Sequence, residues 1–329
     1  MLEYYALAAS FVVALVSSWV VTKWIIPKAL ERNFTGRDVH KAERVFVSEL
    51  GGVGISIGFM LGVFTFVGLS NYWNILSEWS AMFAAVASVL VIFIIGLMDD
   101  LFEIPWGQKS LLPVIGAIPL VVLGAGDPTM VLPILGLVNF GLIYYLVLVP
   151  LGVTGSANAM NMIGGYNGSE AGLGIMIMAA MAVIAFASGS VAALAILLAM
   201  IAALLGFLFF NWYPAKIFMG DAGTFQIGAV IAAAAIIGNM EKYAVLLFAL
   251  YFFNLVIFAW GILTKAKLVK FAHPDKDGKL VAPESFWKHY LPFVVVKLTH
   301  PTEQQVVSYL IGLQAIVSLV VVALYFGGF

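Results

Sequence analysis

The sequence predicts an all-α, polytopic membrane protein of about ten transmembrane helices with both termini on the non-cytoplasmic side. Three observations carry this. Of the 329 residues, 63% are hydrophobic and 10% charged, whereas soluble domains are roughly a quarter charged. The apolar residues form long unbroken runs, not the alternating segments of about 10 residues that a β-barrel shows. The basic residues are segregated to alternate connections, as the positive-inside rule requires.

The candidate spans, taken in order, are 4–26, 51–69, 79–97, 111–123, 131–150, 172–187, 191–210, 224–238, 243–263 and 306–329. The first lacks a positive leading region and an Ala-x-Ala-like end, so it reads as a helix and not as a signal peptide. The fourth contains Pro113 and Pro119 and is expected to be broken or tilted. Only Lys242, of the 16 Lys and Arg residues, falls in a connection after an even-numbered run. The other connections are therefore cytoplasmic. Asp99, Asp100, Lys109, the stretch from Asn158 to Gly168 and Asp221 all fall on that side. The chain reads as one domain, 1–329, in which 264–305 forms a cytoplasmic loop substructure. Residues 290–298 within it suit an amphipathic interfacial segment, with Trp287 and Lys297 nearby.

The absence of cysteine excludes a disulfide framework, a thiolate zinc site and a thioether haem link. The net charge of −1 argues neither for nor against an acidic partner, and no nucleic acid is expected to bind. The sequence has neither a Gly-x-x-x-x-Gly-Lys-Ser/Thr loop nor a Gly-x-Ser-x-Gly elbow.

The polar groups carry the chemistry. Asn158 to Gly168 holds three asparagines and three glycines between two apolar runs, and bare amides in hydrocarbon cost several kcal/mol each. Asn158 and Asn161, three apart, would share a helix face and turn both amides toward one ligand. Interhelical amide bonding is the plainer reading of that pair, but Gly164-Gly165 and Asn167-Gly168 break the helix and expose backbone amides to an anion. Asp99-Asp100 closes the third run, where the helix dipole disfavours acids unless they are paired or metal-bound. Lys109 reads as a snorkelling lysine or as the counter-charge of that pair. Asp221, between glycines at a helix start, reads as an N-cap or as an oxygen ligand to magnesium. Glu49 and His273 are weak signals by themselves. Lys265, Lys267 and Lys270 form a basic cluster that anchors the membrane edge and would attract phosphate. Carboxylates and amides for a hard cation, beside cations and glycines for phosphate, point to phosphoryl transfer at the cytoplasmic membrane surface. The alternative is a transporter, whose polar site would lie mid-helix.

The ordered set Gly96-Leu-Met-Asp99-Asp100, Lys109-Ser-Leu-Leu-Pro113, Asn158-Ala-Met-Asn161, Gly165-Tyr-Asn167-Gly168, Asn211-Trp-Tyr-Pro214 and Phe218-Met-Gly-Asp221 resembles the polyprenyl-phosphate N-acetylhexosamine-1-phosphate transferase superfamily. Within it, the set is most similar to the branch of UDP-N-acetylglucosamine–dolichyl-phosphate N-acetylglucosaminephosphotransferases, in an archaeal-like form. The resemblance implies a ten-helix integral protein of the cell membrane with its active site on the cytoplasmic face. It implies transfer of N-acetylglucosamine-1-phosphate, or that of a related N-acetylhexosamine, from a UDP-sugar to polyprenyl or dolichyl phosphate with release of UMP. Asn161 and Asp221 would hold Mg²⁺, with Mn²⁺ as a substitute. Asp99 and Asp100 would lie beside the metal, Lys109 would contact phosphate and Asn158 would support the site. Asn167, the Gly165 backbone and Phe218 would face the uracil, and Glu49 would stand near the entry of the second helix. Homodimerisation stays open. The Arg-His-Arg-like motif of the eukaryotic enzyme, after the ninth helix, is replaced by Lys267, Lys270 and His273-Pro274. The triple histidine of the bacterial muramoyl-pentapeptide branch is missing as well, which disfavours that branch.

Overall fold

The computed structural model describes residues 1–41, 43–76, 79–132, 136–265, 272–282 and 290–329. Apolar runs of 20 or more residues satisfy their backbone internally as helices. Thus α1 (Leu2–Glu31), α2 (Gly51–Trp73) and α3 (Ser80–Phe102) follow one another. A hairpin of β1 (Thr35–Asp38) and β2 (Val45–Ser48) sits between the first two. Gly54, Gly58 and Gly62 face Thr22, Ser18 and Ala14, so close that an added Cβ would overlap each. Small residues on one stripe let α1 and α2 approach without a hydrophobic driving force between them.

The fourth run is broken as its prolines predict. α4 (Trp106–Leu111), α5 (Pro113–Gly116) and α6 (Ile118–Val122) are divided immediately before Pro113 and just before Pro119, where a missing N–H and the ring clash end each helix. The fifth run departs from expectation. Its beginning is a hairpin of β3 (Thr129–Leu132) and β4 (Gly136–Asn139), and the helical part comes later. Gly136 and Gly141 have positive φ, and Asn139 Oδ1 accepts the Gly141 N–H at 2.8 Å, so turn chemistry prevails over apolar composition. A π-helical turn, Tyr144–Leu148, then leads into α7 (Val149–Met160), with Pro150 in its first turn. Proline has no N–H to return to the preceding turn, and the backbone there widens.

The remaining helices are α8 (Ser169–Ser188), α9 (Val191–Asn211), α10 (Gly220–Ile237), α11 (Glu241–Leu247), α12 (Ala249–Leu263), α13 (Leu291–Thr299) and α14 (Glu303–Phe326). α11 and α12 are bent by 56°. The side-chain amide of Gln314 donates to the Leu247 carbonyl at the bend at 3.0 Å, replacing the helical bond lost there. A two-residue ladder pairs β5 (His273–Pro274) with β6 (Leu280–Val281). α13 covers most of the expected 290–298 segment and buries Leu291, Phe293, Val295 and Val296. Its companion Trp287 lies outside the described residues.

Among the described residues, seven helices are long and apolar enough to cross a membrane, or eight with the bent pair. α10 is the most enclosed of them and packs on α2, α3, α7 and α9. α3, α7 and α9 end, and α2, α8, α10 and α14 begin, at one end of the bundle. Both termini are at the other end. Tyr4 lies 6.3 Å from the Phe186 ring near the end of α8, and the Phe329 carbonyl accepts hydrogen bonds from Lys242 Nζ at 2.7 Å and the Tyr243 hydroxyl at 2.8 Å.

Candidate active site

α3 and α10 touch because Gly96 has no side chain; a Cβ there would lie 2.7 Å from the Asp221 carbonyl and the Ala222 Cα. This contact brings the last turn of α3 against the first turn of α10. Lys109, on α4, completes the group. Its ammonium donates to Asp99 Oδ2 at 2.8 Å and also to Asp221 Oδ2. Asp99 is buried, and its other oxygen accepts the Ile104 N–H at 2.8 Å. An acid at a helix C-terminus is unfavourable alone, and the lysine supplies the missing counter-charge.

Asp100 has a different task. Its Oδ1 accepts the Asp221 N–H at 2.7 Å and its Oδ2 the Ala222 N–H at 3.0 Å. It thus caps α10 from another helix, placing its charge at the positive end of that dipole. Gly220 lies between the two at φ +68°, and a Cβ on it would stand 2.4 Å from Asp100 Oδ2. The glycine is required on both counts.

Two cavities meet at this cluster. The first, about 250 Å³, is lined by hairpin residues including Arg37 and Asp38, by Asn161, Gly165 and Tyr166, and by Phe218, Glu49 and Asp221. The second, about 330 Å³, is lined by Glu49, Asp99, Asp100, Glu103, Ile104, Lys109 and Asp221. Glu49 and Asp221 belong to both. Burial, aided by the Glu103 charge, raises the Glu49 carboxyl above its ordinary range. Beside the second cavity, Met98, Leu101, Phe102, Trp106 and Leu111 are exposed apolar side chains, an outward face suited to acyl chains.

The structure brings together Glu49, Asp99, Asp100, Lys109, Asn161, Gly165, Phe218 and Asp221 at the two cavities. Asn158 is close but points elsewhere. Its Nδ2 donates to the Ser110 carbonyl at 2.9 Å and the Thr154 carbonyl at 2.8 Å, so it ties α7 to the helix that carries Lys109. Asn158 and Asn161 therefore do not converge on one ligand: Asn161 terminates α7 and lines the first cavity, and Asn158 does not. Asn167 is buried behind that cavity's wall, with its amide on Asp38 Oδ2 at 3.1 Å and its backbone N–H on Glu303 Oε1 at 3.0 Å. His273 is exposed on β5, near enough to His40 to act on its charge. Lys267 and Lys270 lie outside the described residues. The polar groups sit at helix ends, not at the mid-helix depth that the transporter alternative calls for.

Reading the sequence alone missed Arg37, Asp38, His40, Lys41, Glu103 and Glu303, and took Glu170 as a mark of the resembled branch without a role at the site. Arg37, exposed at the mouth of the first cavity, resembled one more positive-inside residue. Glu170 Oε1 accepts the Gly165 N–H at 2.7 Å, and its position two residues past Asn-Gly was the available signal. His40 stacks on Tyr166 at 4.2 Å between ring centroids with 9° between planes, and burial lowers its imidazole to about 4.

The donor set at the two cavities suits a hard divalent cation. Five carboxylates line the second cavity and Lys109 alone among its lining residues opposes them, leaving an excess of negative charge. Carboxylate and amide oxygens are what such an ion takes. Asp38, His40 and Glu303 also bring possible ligand atoms within 4.8 Å of one another. There, however, Lys41 already bonds to both carboxylates, and an ammonium fills the place of a metal.

The helical membrane bundle carries an acid-and-lysine cluster between two cavities, and sequence comparison places the chain among the membrane transferases. The chain belongs to glycosyl transferase family 4, whose family model matches residues 82–239. A relative from Saccharolobus solfataricus, provisionally named a UDP-N-acetylglucosamine–dolichyl-phosphate N-acetylglucosaminephosphotransferase, is 36% identical over 309 residues, 93% of each chain. The protein of that name from Schizosaccharomyces pombe is 28% identical over 275 residues, 70% of this chain and 61% of the relative. A phospho-N-acetylmuramoyl-pentapeptide-transferase from Streptococcus thermophilus is 28% identical over 257 residues, 73% of this chain and 75% of the relative. The resemblance read from the motifs is borne out.

Proposed function

We propose that the protein transfers N-acetylglucosamine-1-phosphate, or the phosphate of a closely related N-acetylhexosamine, from a UDP-sugar to a polyprenyl or dolichyl phosphate, the first step of lipid-linked glycan assembly. The observation that carries this is the pair of cavities sharing Glu49 and Asp221. One is walled by polar loop and hairpin residues, and the other opens beside exposed apolar helix faces. A water-soluble nucleotide and a membrane lipid have separate approaches to one reacting centre. The names of the archaeal and yeast relatives support the same pair of substrates.

An oxygen of the lipid phosphate attacks the β-phosphorus of the UDP-sugar. The bond from that phosphorus to the bridging oxygen breaks, and UMP leaves with the electron pair. The acceptor, already anionic, needs no strong base. Catalysis then rests on position and on neutralising charge. Lys109 stands between Asp99 and Asp221, where it balances the phosphates as they draw together. Asp100 holds Asp221 through the backbone, and Gly165 and Phe218 form a slot for a flat base. Asn161 and Asp221 are the residues that would hold Mg²⁺, with Mn²⁺ as a substitute; when bound, the ion withdraws charge from the diphosphate. Asn167 acts from behind the slot, and Lys267, Lys270 and His273 are assigned to the sugar side. We assign ten membrane spans, with both termini outside and the site on the cytoplasmic face. The broken run 106–122, the segment from Tyr144 to Met160 and the bent α11–α12 complete the count. The 264–305 region is read as part of the same single domain.

The test is UMP release by the purified protein given UDP-N-acetylglucosamine, Mg²⁺ and dolichyl phosphate. Asp221→Ala is expected to abolish release while leaving thermal unfolding near that of the parent. Absence of UMP with every UDP-N-acetylhexosamine and polyprenyl phosphate tried would sink the proposal, and unchanged turnover in Asp221→Ala would remove that residue from the metal site.

A further inference from the structure

The wall of the first cavity is a short loop, and two carboxylates from different helices hold it. Glu170 of α8 accepts the N–H of Gly165 at 2.7 Å, and Glu303, the first residue of α14, accepts the N–H of Asn167 at 3.0 Å. Tyr166 stands between these two anchored amides, lines the cavity and stacks on His40. The two anchors differ in kind. Glu170 is local, four residues past Tyr166, and itself lines the cavity. Glu303 does not line either cavity and is 136 residues away from Asn167 in the chain.

Glu303 is 4% exposed, and a carboxylate so buried is costly without partners. Its second oxygen bonds to Lys41. Lys41 also pairs with Asp38 Oδ2 at 3.1 Å and lies over the Tyr213 ring at 4.1 Å. Asp38 in turn accepts the Asn167 side-chain amide at 3.1 Å. A closed circuit therefore runs from Glu303 through Lys41 and Asp38 to the Asn167 side chain, and returns through the Asn167 backbone N–H to Glu303. It joins the first hairpin, the site loop and the last helix. Two carboxylates with one lysine are satisfied only while Asn167 provides its two further donors, so the circuit and the loop conformation require each other.

We propose that Glu303 is a positioning residue: by anchoring the Asn167 amide from α14, it sets the Gly165–Tyr166 wall that receives the donor nucleotide. It does not touch the reacting atoms. Its effect is therefore on the donor and not on the lipid acceptor, whose approach lies beside α3 and α4. The inference rests on the proposed reading of the first cavity as the nucleotide site.

The experiment measures UMP binding by calorimetry on detergent-purified full-length protein, and donor and acceptor KM with kcat by UMP release. Parent, Glu303→Ala and Glu303→Gln are compared, each with its thermal midpoint. Glutamine retains an oxygen for the Asn167 N–H and loses the charge. Loss of one buried hydrogen bond to a charged group predicts that Glu303→Ala weakens UMP binding and raises donor KM by about tenfold or more. Acceptor KM should be unchanged, and Glu303→Gln, which keeps the oxygen for the Asn167 N–H but turns an NH2 donor on Lys41, should weaken both donor measures, by less than Glu303→Ala does. Failure of the parent itself to bind UMP or turn over would refute the functional reading. With an active parent, equal donor and acceptor effects in Glu303→Ala, or donor constants that do not move, would overturn the positioning role. If Glu303→Ala does not fold, Glu303→Gln decides: donor constants equal to those of the parent, or donor and acceptor constants that move together, would overturn the positioning role.

Discussion

Asp99 and Asp100 are adjacent and chemically identical, yet the structure gives them separate duties, and substitution at Asp100 tests the difference. Both Asp100 oxygens accept backbone N–H groups of α10, at 2.7 and 3.0 Å. Both oxygens are thus committed to holding the start of α10, a duty Asp99 does not share. Each such charge-assisted bond is worth roughly 1.5–3 kcal/mol net. Asp100→Ala removes both, so the arrangement that holds Asp221 beside Lys109 loses about 3 kcal/mol or more, a factor of roughly 150. Asp100→Asn keeps one carbonyl oxygen and loses about half of that, a factor of roughly 10. The assay is UMP release at saturating donor and acceptor, with thermal unfolding alongside. The expected order is parent, then Asp100→Asn at about a tenth, then Asp100→Ala at about a hundredth of parental turnover. If Asp100→Asn is as inactive as Asp221→Ala while its unfolding midpoint is that of the parent, Asp100 acts on substrate or proton and the capping argument fails.

Gly220→Ala puts a methyl group against the Asp100 carboxylate in a left-handed backbone. It should lower the unfolding midpoint by the equivalent of about 1–3 kcal/mol and reduce turnover with it; a neutral result in both would contradict the packing. Lys109→Met leaves Asp99 and Asp221 facing one another without their cation, and kcat should fall at least about a hundredfold in the UMP assay. Chelating divalent cations should stop UMP release, and added Mg²⁺ should restore it. The His40 imidazole lies at about 4 in the folded chain, against 6.5 unfolded. Below 6.5 the unfolded chain binds a proton that the folded chain lacks, so stability falls with pH from 6.5 toward 4, by up to roughly 3 kcal/mol. Thermal midpoints measured across that range should decline less steeply in His40→Phe, which retains a ring against Tyr166. Parallel profiles would remove His40 from the account.

Much of the membrane architecture was legible from the chain alone, because a bilayer offers no partner to an unbonded amide. Long apolar runs must then be helices, and Pro113 and Pro119 break a helix wherever they fall. The polar motifs were legible for the same reason: Asp99-Asp100, Asn161 and Asp221 interrupt hydrocarbon and need a use. Residues 131–150 were misread because apolar composition does not distinguish a hairpin from a helix when glycines and an asparagine supply the turns. Only the tertiary structure could separate Asp99, on Lys109, from Asp100, on the amides of α10, since the Asp100 assignment depends on a helix that arrives more than 100 residues later. It alone decided that Asn167 lies behind the cavity wall. Asn167 is joined there to Asp38 and Glu303, 129 and 136 residues away. Burial turns an ordinary loop lysine and two ordinary acids into one circuit, and burial is a property of what packs on a residue, not of the residue or its neighbours in the chain.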